Sequence, residues 1–184
     1  ETVWEPFMDR FLAGAAALKV GDPLDPATDL GPMVDRAAAE RTQRWVDEAV
    51  AMGGKVLLGG RAEGAYFPPT VLVETPVTAQ VCSNEAFAPL VVAFPFSDFD
   101  AAIRAVNDSF FGLQTGVFTN DLGHAWRAFG ELEVGGVIVN DIPTYRIDHM
   151  PYGGVKDSGL GREGLRWSIE DMTELRLLVL AWPS

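Results

Sequence analysis

Cysteine and histidine are scarce in this sequence, which has one cysteine and two histidines among 184 residues. The single cysteine, Cys82, excludes an intramolecular disulfide framework and a cysteine-rich zinc site. With so few sulfur and imidazole ligands, the sequence predicts no metal site. One free thiol fits a reducing compartment, and we expect a cytoplasmic location on that basis.

Basic residues and long apolar runs are also scarce. The chain has 14 Lys and Arg against 26 Asp and Glu, for a net charge of −12. Nucleic acids and anionic membranes both bind basic surfaces, so we expect neither as a partner. No apolar run approaches the roughly 20 residues needed to span a bilayer. Hydrophobic residues nevertheless make up 48% of the chain, which is enough for a sizeable core.

The hydrophobic pattern alternates between helical and strand periodicity. It predicts helices over residues 3–18, 35–52, 98–106, 121–132 and 165–172, and strands over 55–58, 70–73, 89–96, 113–119, 136–140 and 173–182. Asp35 and Asp98 are the expected N-caps of two helices. Strands alternate with helices through short loops after residue 88, which predicts an α/β fold with a mostly parallel sheet flanked by helices and a C-terminal extension strand.

The stretch from Val139 to Leu165 is too rich in glycine and proline for a helix or a central strand. It follows a predicted strand, and ligands of α/β sheets bind beyond the carboxyl ends of strands, so we expect a site there. Within it, Gly159 to Gly164 matches the G-x-G-x-x-G dinucleotide fingerprint. The residues before the match do not read as a strand, however, and turns are the favoured interpretation of these glycines.

Three side chains permit two interpretations each when only their neighbours are considered. Cys82 could be a nucleophile, but it has no basic neighbour to lower its pKa, and a structural thiol is favoured. His149, beside Asp148, could be a general base or one of a pair of metal ligands, although a specificity or structural role is favoured. Glu85, just before an apolar strand, is either a solvated turn residue or a functional carboxylate.

Six segments, in order, resemble those of one family. They are K-V-G-D-P-L-D-P-A-T-D-L-G-P (19–32), G-A-Y-F-P-P-T-V-L (64–72), N-E-A-F-A-P-L (84–90), F-G-L-Q-T-G-V-F-T-N-D (111–121), G-G-V-I-V-N (135–140) and M-P-Y-G-G-V-K-D-S-G-L-G-R-E-G (150–164). Together they are similar to the C-terminal part of the aldehyde dehydrogenase superfamily. The resemblance implies a partial catalytic domain over residues 1–172 and an oligomerisation strand over 173–184.

The resemblance implies oxidation of an aldehyde to a carboxylic acid with NAD or NADP as cofactor, by a homo-oligomer that is a dimer or tetramer. Glu85 matches the family's glutamate that binds the nicotinamide ribose hydroxyls, and Phe87 matches the aromatic residue beside the nicotinamide. Asn140, Arg146, His149 and Tyr152 are the expected substrate-side residues, with Arg146 and His149 suiting a polar or anionic aldehyde.

The resemblance also implies that important parts lie upstream of Glu1. These are the nucleophilic cysteine, the general-base glutamate, the oxyanion asparagine and the dinucleotide-binding domain. We therefore assign no catalytic residue within the chain and expect the isolated chain to be inactive. Ala88 replaces the usual glycine of E-x-F-G-P, which predicts a slightly altered turn. The alternative function is a non-catalytic oligomerisation or structural module that retains the fold.

Overall fold

The computed structural model describes residues 2–182. The chain divides into two compact units, Glu1–Ser97 and Asp98–Ser184, which we call unit 1 and unit 2 and describe separately. No helix within residues 2–182 has both the length and the apolar character needed to cross a membrane.

Unit 1 contains three helices and one three-stranded sheet. In chain order these elements are α1 (Trp4–Ala17), α2 (Arg36–Ala51), β1 (Lys55–Leu58), β2 (Thr70–Val73), α3 (Gln80–Ser83) and β3 (Leu90–Ala93). The strand order is β1-β2-β3. β1 pairs with β2 antiparallel, and β2 pairs with β3 parallel, from Thr70 opposite Leu90 to Val73 opposite Ala93.

The core of unit 1 lies on both faces of the central strand β2, all four residues of which are buried. Successive side chains of a strand point to opposite faces. Leu72 packs with Val46 of α2 and with Phe67, whereas Val71 packs with Met8 of α1. The sheet is therefore covered by α2 on one face and by α1 on the other. Burial of a side chain such as Leu72 contributes roughly 1.5–3 kcal/mol to stability.

Unit 2 contains three helices and two pairs of strands. Its elements are α4 (Phe99–Asn107), β4 (Phe111–Gly112), β5 (Gln114–Val117), α5 (Leu122–Glu131), β6 (Gly136–Val139), β7 (Val155–Lys156) and α6 (Leu165–Asp171). β5 and β6 are parallel, with α5 as their connection, and β4 pairs antiparallel with β7. Ile103 of α4, Ala128 of α5 and Leu132 form its buried core, against which Val117 and Val137 of the parallel pair pack.

Aspartate side chains cap three helices at their first turns. The Asp35 carboxylate accepts a hydrogen bond from the Ala38 amide at 2.7 Å. Asp98 accepts from the Ala101 amide, and Asp121 accepts from the Gly123 amide. Each cap satisfies an amide that has no partner within its helix, typically contributing about 1 kcal/mol. The predicted caps at Asp35 and Asp98 are thereby confirmed.

The predicted α/β class is confirmed, but the strands differ from the prediction in arrangement. They form three small sheets with two parallel and two antiparallel pairings in place of one mostly parallel sheet. The prediction that a strand over residues 89–96 is buried on both faces is wrong, because Val91 of β3 is 44% exposed. The strand buried on both faces is β2. The reason is packing on the two faces of the sheet, because α1 and α2 cover β2, whereas Val91 belongs to neither of the hydrophobic clusters that they form.

The predicted C-terminal extension strand is not formed within residues 173–182, and residues 183 and 184 lie outside the described residues. A strand requires a neighbour that supplies hydrogen bonds, and no described strand pairs with this segment. Leu175, Leu177, Leu178, Val179, Leu180 and Trp182 are all largely exposed in it. Its role in oligomerisation and the predicted domain division at residue 172 stay predictions.

Candidate functional site

Glu85 and Phe87 lie in unit 1, on the loop that joins α3 to β3. We call residues 85–87 the cofactor loop, after the cofactor contacts predicted for Glu85 and Phe87. The Glu85 side chain is exposed, and among residues 2–182 no ion pair or hydrogen bond engages its carboxylate. The Phe87 side chain is 80% exposed, more than any other phenylalanine among residues 2–182. The loop therefore presents a free carboxylate and an aromatic ring from neighbouring positions.

The backbone of Phe87 is in the left-handed region, with φ of 46°. Such a conformation costs a non-glycine residue about 1–3 kcal/mol, and the surrounding structure must maintain it. Ala88, which stands where the family motif has glycine, is not among the described residues with positive φ. Its methyl group is therefore compatible with the local backbone, and the unusual conformation lies one residue earlier.

Both ends of the cofactor loop are fixed by backbone hydrogen bonds. On one side the Asn84 amide donates to the Gln80 carbonyl of α3. On the other, the Thr70 amide of β2 donates to the Pro89 carbonyl at 2.9 Å. Between them, Nη2 of Arg41 in α2 donates to the Ala86 carbonyl at 3.0 Å. Sequence reasoning missed Arg41, because nothing local links residues that are 45 positions apart.

Cys82 lies on α3 and is partly buried against the unit 1 core. Burial raises the pKa of its thiol above the ordinary value of 9.0, because desolvation disfavours the thiolate. A thiol whose pKa is raised is a poor nucleophile at neutral pH. This environment supports the favoured interpretation of Cys82 as a structural thiol.

In unit 2, Arg146 makes noncovalent contacts with two other residues of the predicted substrate-side segment. Nη2 of Arg146 lies 2.6 Å from Oε2 of Glu163, and its guanidinium lies 4.3 Å from the ring centroid of Tyr152. The Tyr152 amide also donates to the Glu163 carbonyl at 3.0 Å. Arg146, Tyr152 and Glu163 therefore form one cluster. Glu163 was missed from sequence, although its opposite charge in a nearby turn could have signalled a partner for Arg146.

Asn140 and His149 are exposed and belong to different parts of the same segment. Asn140 follows β6 with φ of 60°, and its Oδ1 accepts a hydrogen bond from the Thr119 amide at 2.8 Å. This bond ties the end of β6 to the residues that follow β5. His149 makes no hydrogen bond or ion pair within the described residues. The structure thus groups Arg146 with Tyr152 and does not draw Asn140 or His149 into that cluster.

The glycines of the G-x-G-x-x-G match lie in turns. Gly159, Gly161 and Gly164 all have positive φ, which glycine tolerates best, and Gly164 immediately precedes the short helix α6. Gly159 and Gly161 also line a cavity of about 490 Å³, together with Tyr152 and the acidic side chains of Glu163 and Asp171. Within residues 2–182 no group of three or more His, Cys, Asp or Glu side chains could hold a metal ion.

Comparisons with known proteins agree on one family. The Aldehyde dehydrogenase family model matches residues 1–178. The 3-sulfolactaldehyde dehydrogenase of Priestia aryabhattai is 48% identical over 178 residues, which cover 97% of this chain and 37% of that protein. The crystal structure of aldehyde dehydrogenase 21 from Physcomitrella patens, in complex with the reaction product succinate, has a TM-score of 0.96 at 44% identity, covering 98% of this chain and 37% of that one. Glyceraldehyde-3-phosphate dehydrogenase from Methanocaldococcus jannaschii, complexed with NADP, has a TM-score of 0.89 at 39% identity, covering 94% and 37%.

These matches correct the function predicted from the sequence. That prediction made the chain a C-terminal catalytic portion of an aldehyde-oxidising enzyme. The chain spans only about 37% of the length of the relatives it matches. The matches support an NAD-binding region of the family and do not support the C-terminal catalytic part. The assignment to a catalytic portion is therefore withdrawn, together with the structural-module alternative that depended on it.

The predicted cofactor is consistent with the comparisons, since the family uses NAD or NADP and one of these structures contains NADP. The relatives are dehydrogenases by name, which supports the enzyme class. The family model extends over residues 1–178 of the 184, which is nearly the entire chain. The chain belongs to the aldehyde dehydrogenase family.

Proposed function

We propose that this chain contributes the nicotinamide-ribose site of an NAD(P)-dependent aldehyde dehydrogenase. In this proposal Glu85 binds the ribose and Phe87 lies beside the nicotinamide ring. The observation that supports it is the cofactor loop itself, where an exposed carboxylate without a described partner adjoins a phenylalanine that is 80% exposed.

The chemistry of the two side chains suits the cofactor. An ionised carboxylate only accepts hydrogen bonds, and its two oxygens can accept from the two vicinal hydroxyls of a ribose. An exposed aromatic ring gives an apolar wall against which a flat heterocycle can be oriented. Bound NAD(P)⁺ supplies the hydride acceptor, and these residues would hold its reactive ring in a fixed orientation.

For the substrate, we propose a small aldehyde with an anionic group. The names of the three relatives described above refer to a sulfonated aldehyde, to succinate and to a phosphorylated aldehyde. Arg146 is the side chain of this chain suited to such a group, with Tyr152 as its stacking partner and with Asn140 and His149 as further substrate-side residues. Because Glu163 already pairs with Arg146, a substrate anion would share or displace that carboxylate.

The proposed assembly is a homo-oligomer, and the proposed location is the cytoplasm. The apolar segment 173–182 supports the first, since contiguous exposed apolar surface commonly marks an interaction site. The lone free Cys82 supports the second, because reduced thiols persist in that compartment. Sedimentation equilibrium and cell fractionation test the two statements, and a monomer or a secreted protein would contradict them.

The site is tested with Glu85→Gln and Glu85→Ala in the intact protein that contains this chain. We expect the Kd for NAD⁺ or NADP⁺, measured by calorimetry, to rise about 10- to 100-fold, since hydrogen bonds to a charged group typically contribute 1.5–3 kcal/mol. Glu5→Gln, an exposed change on α1, is the matched control and should leave the Kd unchanged. Equal cofactor affinity in the Glu85 variants and the unmodified protein would contradict the proposal.

A further inference from the structure

One side chain outside the cofactor loop contacts its backbone. Arg41 on α2 donates from Nη2 to the carbonyl oxygen of Ala86 at 3.0 Å, and this bond is partly buried. Ala86 lies between Glu85 and Phe87, the two residues of the proposed cofactor contact. The bond therefore joins a regular helix of unit 1 to the centre of the loop.

The loop has little other support at this point. The neighbouring backbone bonds involve Asn84 before it and Ala88 and Pro89 after it. Within residues 2–182, the bond from Arg41 is the one described hydrogen bond to the backbone of residues 85–87. The orientation of the loop consequently depends on Arg41 to an unusual degree.

The geometry of the peptide group explains what this bond fixes. The Ala86 carbonyl lies in the peptide plane that also contains the Phe87 nitrogen, and the rotation of Phe87 relative to that plane is its φ angle. Phe87 has φ of 46°, a conformation that a non-glycine residue rarely adopts without support. Holding the Ala86 carbonyl thus restrains the left-handed turn from which the Phe87 ring projects.

The Arg41 side chain packs beside an aromatic ring, and one of its nitrogen donors is buried without a partner. Its guanidinium lies 5.4 Å from the ring centroid of Trp45, one turn along α2. Its Nε is buried and has no hydrogen-bond partner. A buried donor without a partner is unfavourable and calls for an explanation. A side chain serving only α2 could turn its head group to water, and this one instead reaches the loop.

We propose that Arg41 is a positioning residue for the cofactor, which holds Glu85 and Phe87 in their binding orientation through the Ala86 carbonyl. The inference rests on the proposed function of those two residues. Arg41 acts on the nicotinamide end of the cofactor alone, because the cofactor loop is the proposed contact for that end. A loss of Arg41 should therefore weaken binding of the dinucleotide without weakening binding of its adenosine diphosphate half.

The test uses Arg41→Met in the intact protein. Methionine keeps an unbranched apolar stem beside Trp45 but has no donor for Ala86. We expect the Kd for NAD⁺ to rise about tenfold while the Kd for ADP stays within about twofold, since one charged hydrogen bond is lost. Arg41→Lys, which retains a charged donor of similar reach, should recover most of the NAD⁺ affinity. If Arg41→Met does not fold, Arg41→Gln, whose amide is too short to reach Ala86, replaces it with the same expectations.

Two comparisons make the outcome decisive. Arg44→Ala removes an exposed arginine of the same helix and should leave both dissociation constants unchanged. Glu85→Ala, measured in parallel, tests the proposed function by itself. If Glu85→Ala weakens NAD⁺ binding but Arg41→Met does not, the positioning role is refuted and the proposed function stands. If neither variant weakens NAD⁺ binding, the positioning role and the proposed function are both refuted. If Arg41→Met weakens NAD⁺ and ADP binding equally, Arg41 has a general structural role instead.

Discussion

The cofactor loop of unit 1 and the segment from Val139 to Leu165 of unit 2 both carry candidate functional residues, but they are supported in different ways. The loop connects a helix and a strand whose neighbours form a dense core, including Phe67 and Leu72 with no exposed surface. The segment is held mainly by turns and by polar contacts such as the pair of Arg146 with Glu163. Apolar burial therefore fixes the elements on either side of the cofactor loop, whereas individual side-chain contacts hold the unit 2 segment together.

The difference has a physical consequence for mutation. Truncating a side chain in a close-packed core leaves a cavity and lowers the stability of the entire unit, because the surrounding side chains relax only partly. A loss of an exposed ion pair affects little beyond the groups concerned, because water screens and replaces it. We therefore expect unit 1 to respond through stability and the unit 2 segment to respond through ligand selectivity.

The largest effect is expected for Phe67→Ala in the core of unit 1. Removing a fully buried aromatic ring typically costs about 3–5 kcal/mol of unfolding free energy, measured by denaturant titration. Phe110→Ala in unit 2, where the side chain is 73% exposed, is the matched substitution and should change it by less than about 0.5 kcal/mol. Similar losses for both variants would remove the contrast between the two regions.

An intermediate effect is expected for Arg146→Ala in the segment of unit 2. Because its guanidinium is the proposed partner of an anionic substrate group, kcat/KM for a carboxylated aldehyde relative to butanal should fall about tenfold in the intact protein. Arg166→Ala, which removes another exposed and ion-paired arginine of unit 2, should leave that ratio unchanged. A ratio that is the same before and after Arg146→Ala would count against an anionic substrate.

The smallest effect concerns the pH dependence that Cys82 gives to unit 1. Burial raises the pKa of the thiol in the folded chain above the ordinary value of 9.0. As pH rises past 9.0 the unfolded chain loses this proton first, so the contribution is fully present below that pH and stability falls above it. Unfolding free energies measured from pH 7 to 11 should decline less steeply for Cys82→Ala. Parallel curves for the two proteins would show that burial of Cys82 does not matter.

Local signals in the sequence were sufficient for much of the fold. β1 and β2 have the predicted bounds, and Asp35 and Asp98 cap the helices that follow them. These features depend on residues close together in the chain, so a short window contains the necessary information. The short elements α3, β4 and β7 were missed, because a single helical turn or a strand of two residues has no measurable periodicity.

Some residues of the candidate site were also predicted from local sequence, whereas others were found only in the structure. Glu85 and Phe87 were identified through the motif that contains them, and Arg146 through its place in a polar loop. Arg41 and Glu163 were not identified, because Arg41 bonds to Ala86 across 45 positions of the chain and Glu163 bonds to Arg146 across 17. No local pattern encodes such a meeting. The structure alone shows that Ala86 has a fixed hydrogen-bond donor and that Arg146 is already paired.

The sequence by itself determined the α/β class, the starts of five of the six helices described and the family, since these depend on hydrophobic periodicity, capping residues and ordered motifs. The tertiary structure decided the pairing of the strands into three sheets, the absence of a strand over residues 173–182 and the attachment of the cofactor loop to α2. The physical reason is common to all three. The packing of the folded chain selects which groups distant in sequence become hydrogen-bond partners. The type of a residue indicates only which groups it is able to bind.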